Sequence, residues 1–159
     1  MRRRAPFQVL IMPFRRIGDG TTEYGALRRT DLAVRQGFAG GGVIGETPAE
    51  AARREAHEEG GVPYAAALYH LDAHATVPRC CFSAASEWGP DVFVVVEHAF
   101  AVDCTDTPIR LSDEHNKVLW GDYDTVHGAL RWDSNRTALW ELAERLRTGR
   151  LAERRLRES

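Results

Sequence analysis

Residues 40–62 read GGGVIGETPAEAARREAHEEGGV. Thr47 is a good N-cap, Pro48 suits the first helical position, and Glu50 three residues after Thr47 completes a capping box, so a helix is expected to open here. Gly60-Gly61 supplies its stop. Within that helix, at 100° per residue, Glu58 and Glu59 fall about 60° to one side and about 40° to the other side of Glu55. Three carboxylates therefore share a face. Ala51 and Ala52 lie on or beside the same face one turn earlier, while Glu50, Arg53 and His57 point roughly the other way. The acidic stripe is thus expected on the core side, where like charges at i, i+3 and i, i+4 cost about 0.2–0.5 kcal/mol each, and more when partly buried.

Two readings of the stripe are open on the helix alone. One is a solvated acidic face held by Glu50–Arg54 and Arg54–Glu58 pairs. The other is a site for hard divalent cations, which select clustered carboxylate oxygens and would turn the repulsion into coordination. The Gly40-Gly41-Gly42 run, read as a loop leading into the capped helix, favours the second, because it lets backbone groups approach a metal or phosphate without side-chain obstruction. Gly40 is the backbone candidate in that scheme.

The whole stretch resembles the Nudix box: Gly40, then Glu46, Arg54-Glu55, Ala56, Glu58-Glu59, Gly61 and Val62 at the family's spacing. Seven fixed residue types at about 7% each would coincide at a given start roughly once in 10⁸. Ala56 departs from the pattern, which prefers a larger aliphatic residue there. The resemblance implies an α/β fold, a mixed β-sheet sandwiched between helices with the box as a loop-helix-loop active-site motif. It implies an enzyme that uses Mg²⁺ or Mn²⁺ to cleave a phosphoanhydride bond in a small-molecule substrate. Glu55, Glu58 and Glu59 would be metal ligands, with Glu55 supplying base function directly or through a metal-bound water. Arg54 would pair with Glu46 to brace the loop.

Outside the box, Leu111-Ser112-Asp113-Glu114-His115, Trp120 and Arg131-Trp132-Asp133-Ser134-Asn135-Arg136 are similar to the late motifs of the bacterial dihydroneopterin triphosphate pyrophosphatase branch. By that resemblance Glu114 would be a further metal ligand, Arg28 and Arg29 would meet substrate phosphates, and Trp132, Ser134 and Asn135 would border the substrate. Asp133 and Ser134 also read as N-cap candidates for the last helix, with Trp132 as a hydrophobic staple. The chain departs from the branch in carrying Arg35-Gln36 where the branch has Trp-Gln, and in the extra Asp133.

Elsewhere the pattern predicts a strand over residues 6–17, a turn at Gly18-Asp19-Gly20, and a second strand around Tyr24–Arg29. A short extended piece at 35–39, extended segments at 64–78 and 91–102 separated by a loop at 78–90, and a short strand at 117–123 follow. Ala138, Leu139, Leu142, Ala143 and Leu146 recur at helical spacing from Ser134 to about Arg147, and a charged tail ends the chain. The 159 residues are expected to form one domain. A net charge of −2 gives no overall basic field for a stable nucleic-acid partner, and no apolar run is long enough to span a membrane. Cys80, Cys81 and Cys104 lack paired metal or redox spacing, and no long apolar segment with a small-residue cleavage site follows the basic start Arg2-Arg3-Arg4, so a cytoplasmic protein is expected; a homodimer is left open.

The leading expectation is hydrolysis of a (d)NTP-like substrate or dihydroneopterin triphosphate to a monophosphate and pyrophosphate. The alternatives are hydrolysis of a dinucleotide or nucleotide sugar, and a non-catalytic nucleotide-sensing module. The complete acidic set with Arg54 argues against the last, since a sensor has no need of it.

Overall fold

The computed structural model describes residues 2–157. The first apolar run forms β1 (Arg4–Ile17), the strand around which the sheet is organised. Val9 and Ile11 enter one core, with Phe38, Ala52 and Phe100, whereas Leu10, Met12 and Phe14 enter a second, with Ala99, Leu139 and Leu142. β1 reads as continuously apolar because the sheet is covered on both faces.

Its partners are β2 (Thr21–Arg29), β4 (Phe38–Val43) and β6 (Val94–Asp103). The C-terminal part of β1 pairs antiparallel with β2 and its N-terminal part antiparallel with β4, while β6 runs parallel along the opposite edge. With β3 (Arg35–Gln36), β5 (Leu68–Pro78) and β7 (His115–Gly121), the sheet has the order β3-β2-β1-β6-β5, β4 adding to β1 and β7 to β2. The helix α1 (Pro48–Gly60) supplies Ala51, Ala52 and Ala56 to the first core. On the other face α2 (Tyr123–Ala129) supplies Val126, and α3 (Asp133–Arg147) supplies Ala138, Leu139 and Leu142. The result is the α/β architecture of a mixed sheet between helices.

Three local expectations are corrected. Gly40, Gly41 and Gly42 are not a loop but the end of β4, paired to β1. Their lack of side chains serves close packing: a Cβ would meet the Glu55 carboxylate at Gly40, the Arg4 guanidinium at Gly41 and the Phe7 ring at Gly42. The extended segment expected to run to Tyr123 stops at Gly121, and Asp122 caps α2 by accepting from the Thr125 N–H at 2.9 Å. With seven residues and a single buried apolar one, α2 is too short to show a helical period. The N-cap of α3 is Trp132, without a side-chain cap bond; Asp133 is already helical and pairs with Arg136 at 2.7 Å. The charged tail, for which the sequence made no structural prediction, packs onto β5: Leu151 is buried, the Leu156 N–H donates to the Leu68 carbonyl at 2.8 Å, and Arg154 pairs with Asp72 at 2.8 Å.

No helix among the described residues is long and apolar enough to cross a membrane.

Candidate active site

The helix that carries the acidic stripe is fixed at both ends. Thr47 Oγ1 accepts from the Glu50 N–H at 3.2 Å and the Glu50 carboxylate accepts from the Thr47 N–H at 2.8 Å, a capping box of the kind whose loss costs about 0.5–2 kcal/mol. At the other end Gly61 adopts φ +65°, the left-handed cap that glycine favours, and donates its N–H back into the last turn. So anchored, the stripe runs from the core to the rim. Glu59 is 4% exposed, the Glu55 side chain 12% and the Glu58 side chain 54%.

Each buried carboxylate rests against β4. Glu55 lies where a Cβ on residue 40 would stand, 2.1 Å from its carboxyl carbon, so only glycine admits it. Glu59 Oε2 accepts from the Ala39 N–H at 3.3 Å.

Arg54 closes the opposite side. Its Nε and Nη2 donate to the two Glu46 oxygens at 2.6 and 3.1 Å, and Nη2 also donates to the Gly41 carbonyl at 3.0 Å. Nη1 donates to Glu55 at 2.8 Å and to Glu58 at 3.2 Å. Glu46 in turn accepts from the Val43 N–H at 2.8 Å, which ties the loop between β4 and α1 to the helix through one guanidinium.

Glu114, some 55 residues downstream of the helix, reaches the stripe because its loop is stitched to two elements. The Arg110 and Ser112 N–H groups donate to the Gly60 and Glu59 carbonyls at 2.7 and 3.1 Å. On the β2 side, the Thr30 N–H donates to the Glu114 carbonyl at 2.9 Å and Thr30 Oγ1 to the Asp113 carbonyl at 2.9 Å.

The electrostatic result is a crowded, half-dry acidic centre. Burial first, and then the charges of Glu55 and Glu114, push the Glu59 carboxyl up to about 9. Burial also raises Glu55, against the pull of Arg54. Burial pushes Glu46 up as well, but its bonds from Arg54 and the Val43 N–H hold it below the usual carboxylate range. His115 is buried with neither ring nitrogen hydrogen-bonded, and its Nδ1 stands 3.9 Å from Glu59 Oε2. Burial depresses its pKa, so it faces Glu59 as a neutral ring.

Among the described residues, no three acidic, histidine or cysteine side chains converge as a ready metal cage. Arg54 Nη1 sits between Glu55 and Glu58 and serves as their counter-cation. The donor set nevertheless fits hard divalent ions. It offers carboxylate oxygens from Glu55, Glu58, Glu59 and Glu114, two of them from buried groups that resist ionisation unless a cation joins them.

Glu59 and Glu114 open onto a cavity of about 840 Å³ that also takes in Gly40, Arg29, Trp132, Ser134 and Asn135. Arg29 is held bidentate by Asp31. Arg28 does not line the cavity; it faces Asn116 at 3.4 Å, because neighbouring residues of a strand point to opposite faces. Asn135 is buried and its Oδ1 accepts from the Gly37 N–H at 2.9 Å, so it holds the cavity wall. Trp132 Nε1 donates to Gln36 Oε1 at 3.1 Å.

The NUDIX domain model matches residues 18–140, well over half of the chain. The chain belongs to the Nudix family. A NUDIX hydrolase from Listeria monocytogenes is similar over 92% of this chain and 98% of its own, with 40% identity and a TM-score of 0.83. The dihydroneopterin triphosphate pyrophosphohydrolase of E. coli shares the fold at 22% identity, with a TM-score of 0.68 over 87% of this chain and 95% of its own. An Ap4A hydrolase of C. elegans does so at 17% identity, with a TM-score of 0.68 over 89% and 97%. No curated protein matches the sequence. This Nudix chain is therefore a hydrolase acting on pyrophosphate bonds in small molecules, in a family that generally uses divalent metal ions.

Cavity residues that the sequence reading passed over include Gln8 and Glu97, while Gln36, named there only within a departure from the branch, lines the cavity as well. Glu97 carried a signal: on β6 it shares its face with Val95, Ala99 and Ala101, an inward alternation in which a carboxylate is out of place.

Proposed function

We propose that the chain is a pyrophosphohydrolase that converts a (d)NTP-like substrate or dihydroneopterin triphosphate to a monophosphate and pyrophosphate with Mg²⁺ or Mn²⁺. The observation that carries this reading is Glu59, buried against the charges of Glu55 and Glu114, with Glu59 and Glu114 lining a cavity of about 840 Å³, large enough for a nucleotide-sized ring system. Bound divalent ions supply neutralisation of phosphate charge and a more acidic attacking water. Glu55, Glu58, Glu59 and Glu114 would hold them. Arg54 keeps Glu55 aligned by bonding Oε1 at 2.8 Å, which leaves Oε2 to accept a proton. Arg29, already in the cavity wall, can meet a phosphate if it exchanges Asp31 for the substrate.

The test is turnover of nucleoside triphosphates, dihydroneopterin triphosphate, dinucleotides and nucleotide sugars, each with Mg²⁺, with Mn²⁺ and with excess chelator. Pyrophosphate release from a triphosphate that vanishes in chelator is the expected result. Orthophosphate release, preference for a dinucleotide or sugar nucleotide, or full turnover in chelator would overturn the reading.

Glu114 and its neighbour Asp113 give a sharper check, because both line the cavity but only Glu114 interacts with Glu59. Glu114→Gln should lower kcat at saturating substrate about 10-fold or more, with Mn²⁺ recovering part of the loss, as expected for a ligand on a separate loop. Asp113→Asn should change kcat less than about 2-fold, given that a change of about 0.4 kcal/mol corresponds to that factor. Equal effects of the two substitutions would remove Glu114 from the metal site.

A further inference from the structure

The cavity that Glu59 and Glu114 line is also lined by a buried carboxylate from another element, Glu97 of β6, which phosphate chemistry does not require. Glu97 is only 7% exposed. It stands on β6 directly beside Gln8 of β1, whose Nε2 donates to Glu97 Oε2 at 2.9 Å. Both residues line the cavity, as do the apolar side chains of Phe82, Leu32 and Trp132. No arginine, lysine or histidine pairs with Glu97 among the described residues, and a carboxylate oxygen has two acceptor positions. After the Gln8 bond, Oε1 is free and Oε2 can accept once more. A buried carboxylate with acceptor capacity left over, in a cavity whose lining is mostly apolar, is costly unless a ligand donates to it.

We infer that Glu97 reads the ring of the substrate by accepting two adjacent N–H donors, and so selects a 2-amino-oxopyrimidine ring, the edge shared by guanine and the pterins. This deepens the triphosphate reading above and rests on it. Ring chemistry narrows the choice. A 2-amino-oxopyrimidine presents a ring N–H beside an exocyclic NH₂, which matches the spacing of the two carboxylate oxygens. Adenine and cytosine set one amino group beside an acceptor nitrogen, whose lone pair the carboxylate repels. Uracil and thymine set one N–H between two carbonyl oxygens. Hypoxanthine keeps the ring N–H and lacks the amino group. Gln8 fixes the rotamer of Glu97 and aligns the pair of oxygens. Gln36, with its Oε1 taken by Trp132, has its amide N–H₂ left to donate to the ring carbonyl. Apolar and aromatic walls around one polar recognition group are the usual composition of a ring-binding pocket.

The experiment compares GTP, ITP and ATP with Mg²⁺. KM for GTP is expected to lie at least about 10-fold below KM for ITP, since ITP differs only in the missing amino group and leaves one acceptor unpaired. Glu97→Gln should shrink the GTP-to-ITP ratio of kcat/KM toward one, with a thermal melt and circular dichroism to verify folding. If that variant does not fold, the wild-type ratio decides alone, and Gln8→Met, which frees Glu97 to rotate, should lower the ratio as well. Equal kcat/KM for GTP and ITP overturns the proposal. A ratio that survives Glu97→Gln in a folded protein also overturns it. If no triphosphate is cleaved, the triphosphate reading fails by itself. Calorimetric binding of GTP, ITP and ATP with Ca²⁺ then still measures the preference, equal affinities sinking it and tighter GTP binding sustaining it. Dihydroneopterin triphosphate, compared with GTP, distinguishes a pterin from a purine as the source of the ring.

Discussion

Glu59→Gln is expected to lower kcat by more than the roughly 10- to 100-fold typical of residues that only support a metal ligand, while making the metal-free protein more stable at neutral and alkaline pH. Both effects come from the same burial. The Glu59 carboxyl is pushed up to about 9 by desolvation and by Glu55 and Glu114, whereas in the unfolded chain it titrates near 4.5. Between those values the folded state holds a proton that the unfolded state has released, so stability falls as pH rises from about 4.5 to about 9. The contribution is complete below 4.5 and lost above 9. Glutamine keeps the size and the bond from the Ala39 N–H but cannot ionise, so it removes this slope. Thermal melts of wild type and variant in chelator at pH 5, 7 and 9 should therefore diverge, with the variant ahead at high pH. Adding Mg²⁺ should raise the wild-type melt at pH 8 and the variant's by less, because a ligand stabilises the state that binds it. A variant with near-normal kcat, or parallel pH curves, would return the stripe to a solvated acidic face.

The stripe was legible in the sequence because a helix has one period and the cap signals fix its start. Thr47, Pro48, Glu50 and Gly61 take the expected positions, and the angles among Glu55, Glu58 and Glu59 follow from the helix alone. What periodicity cannot supply is the depth of each residue. Glu55 and Glu59 sink because β4 passes beneath them with glycine and alanine, while Glu58 reaches the rim, and that difference depends on a strand packed from elsewhere in the chain. The glycines themselves misled: a run of three reads as a loop, yet here pairing with β1 made it a strand whose missing side chains leave room for Glu55, Arg4 and Phe7.

The part of the cavity lined by the sheet was less legible, for a related reason. Gln8, Gln36 and Glu97 lie on three strands and come together only through the parallel pairing of β1 with β6 and the antiparallel pairing of β3 with β2. No local spacing links them. Trp132, Ser134 and Asn135 were found through a motif, and each reaches the cavity, although the buried Asn135 spends its side chain on the Gly37 N–H and on Ser134. Arg28 and Arg29, adjacent in sequence, are separated by the strand's own alternation into one residue outside the cavity and one in its wall.

Arg54→Ala should be the most damaging single change to the architecture of the site. One guanidinium, 12% exposed, satisfies Glu46 twice, Glu55, Glu58 and the Gly41 carbonyl. Its removal leaves Glu46 and Glu55, with side chains 17% and 12% exposed, without their counter-charge. Breaking one side of a largely buried ion pair costs about 3–5 kcal/mol, and in chelator the melting temperature should fall accordingly. Divalent ions can compensate Glu55 but not Glu46, which bonds the Val43 N–H on the far side of the loop. Saturating Mg²⁺ should thus restore part of the stability and little of the activity, leaving kcat/KM down by at least ~10²-fold, or about 2.7 kcal/mol in transition-state stabilisation. Arg54→Lys keeps the charge but offers a single flexible ammonium in place of a planar fork, so it should recover stability more than turnover. An Arg54→Ala protein that melts and turns over like wild type would mean that the loop between β4 and α1 holds its shape without the brace. Complete rescue by Mg²⁺ would mean instead that Arg54 is only a stand-in for the missing cation.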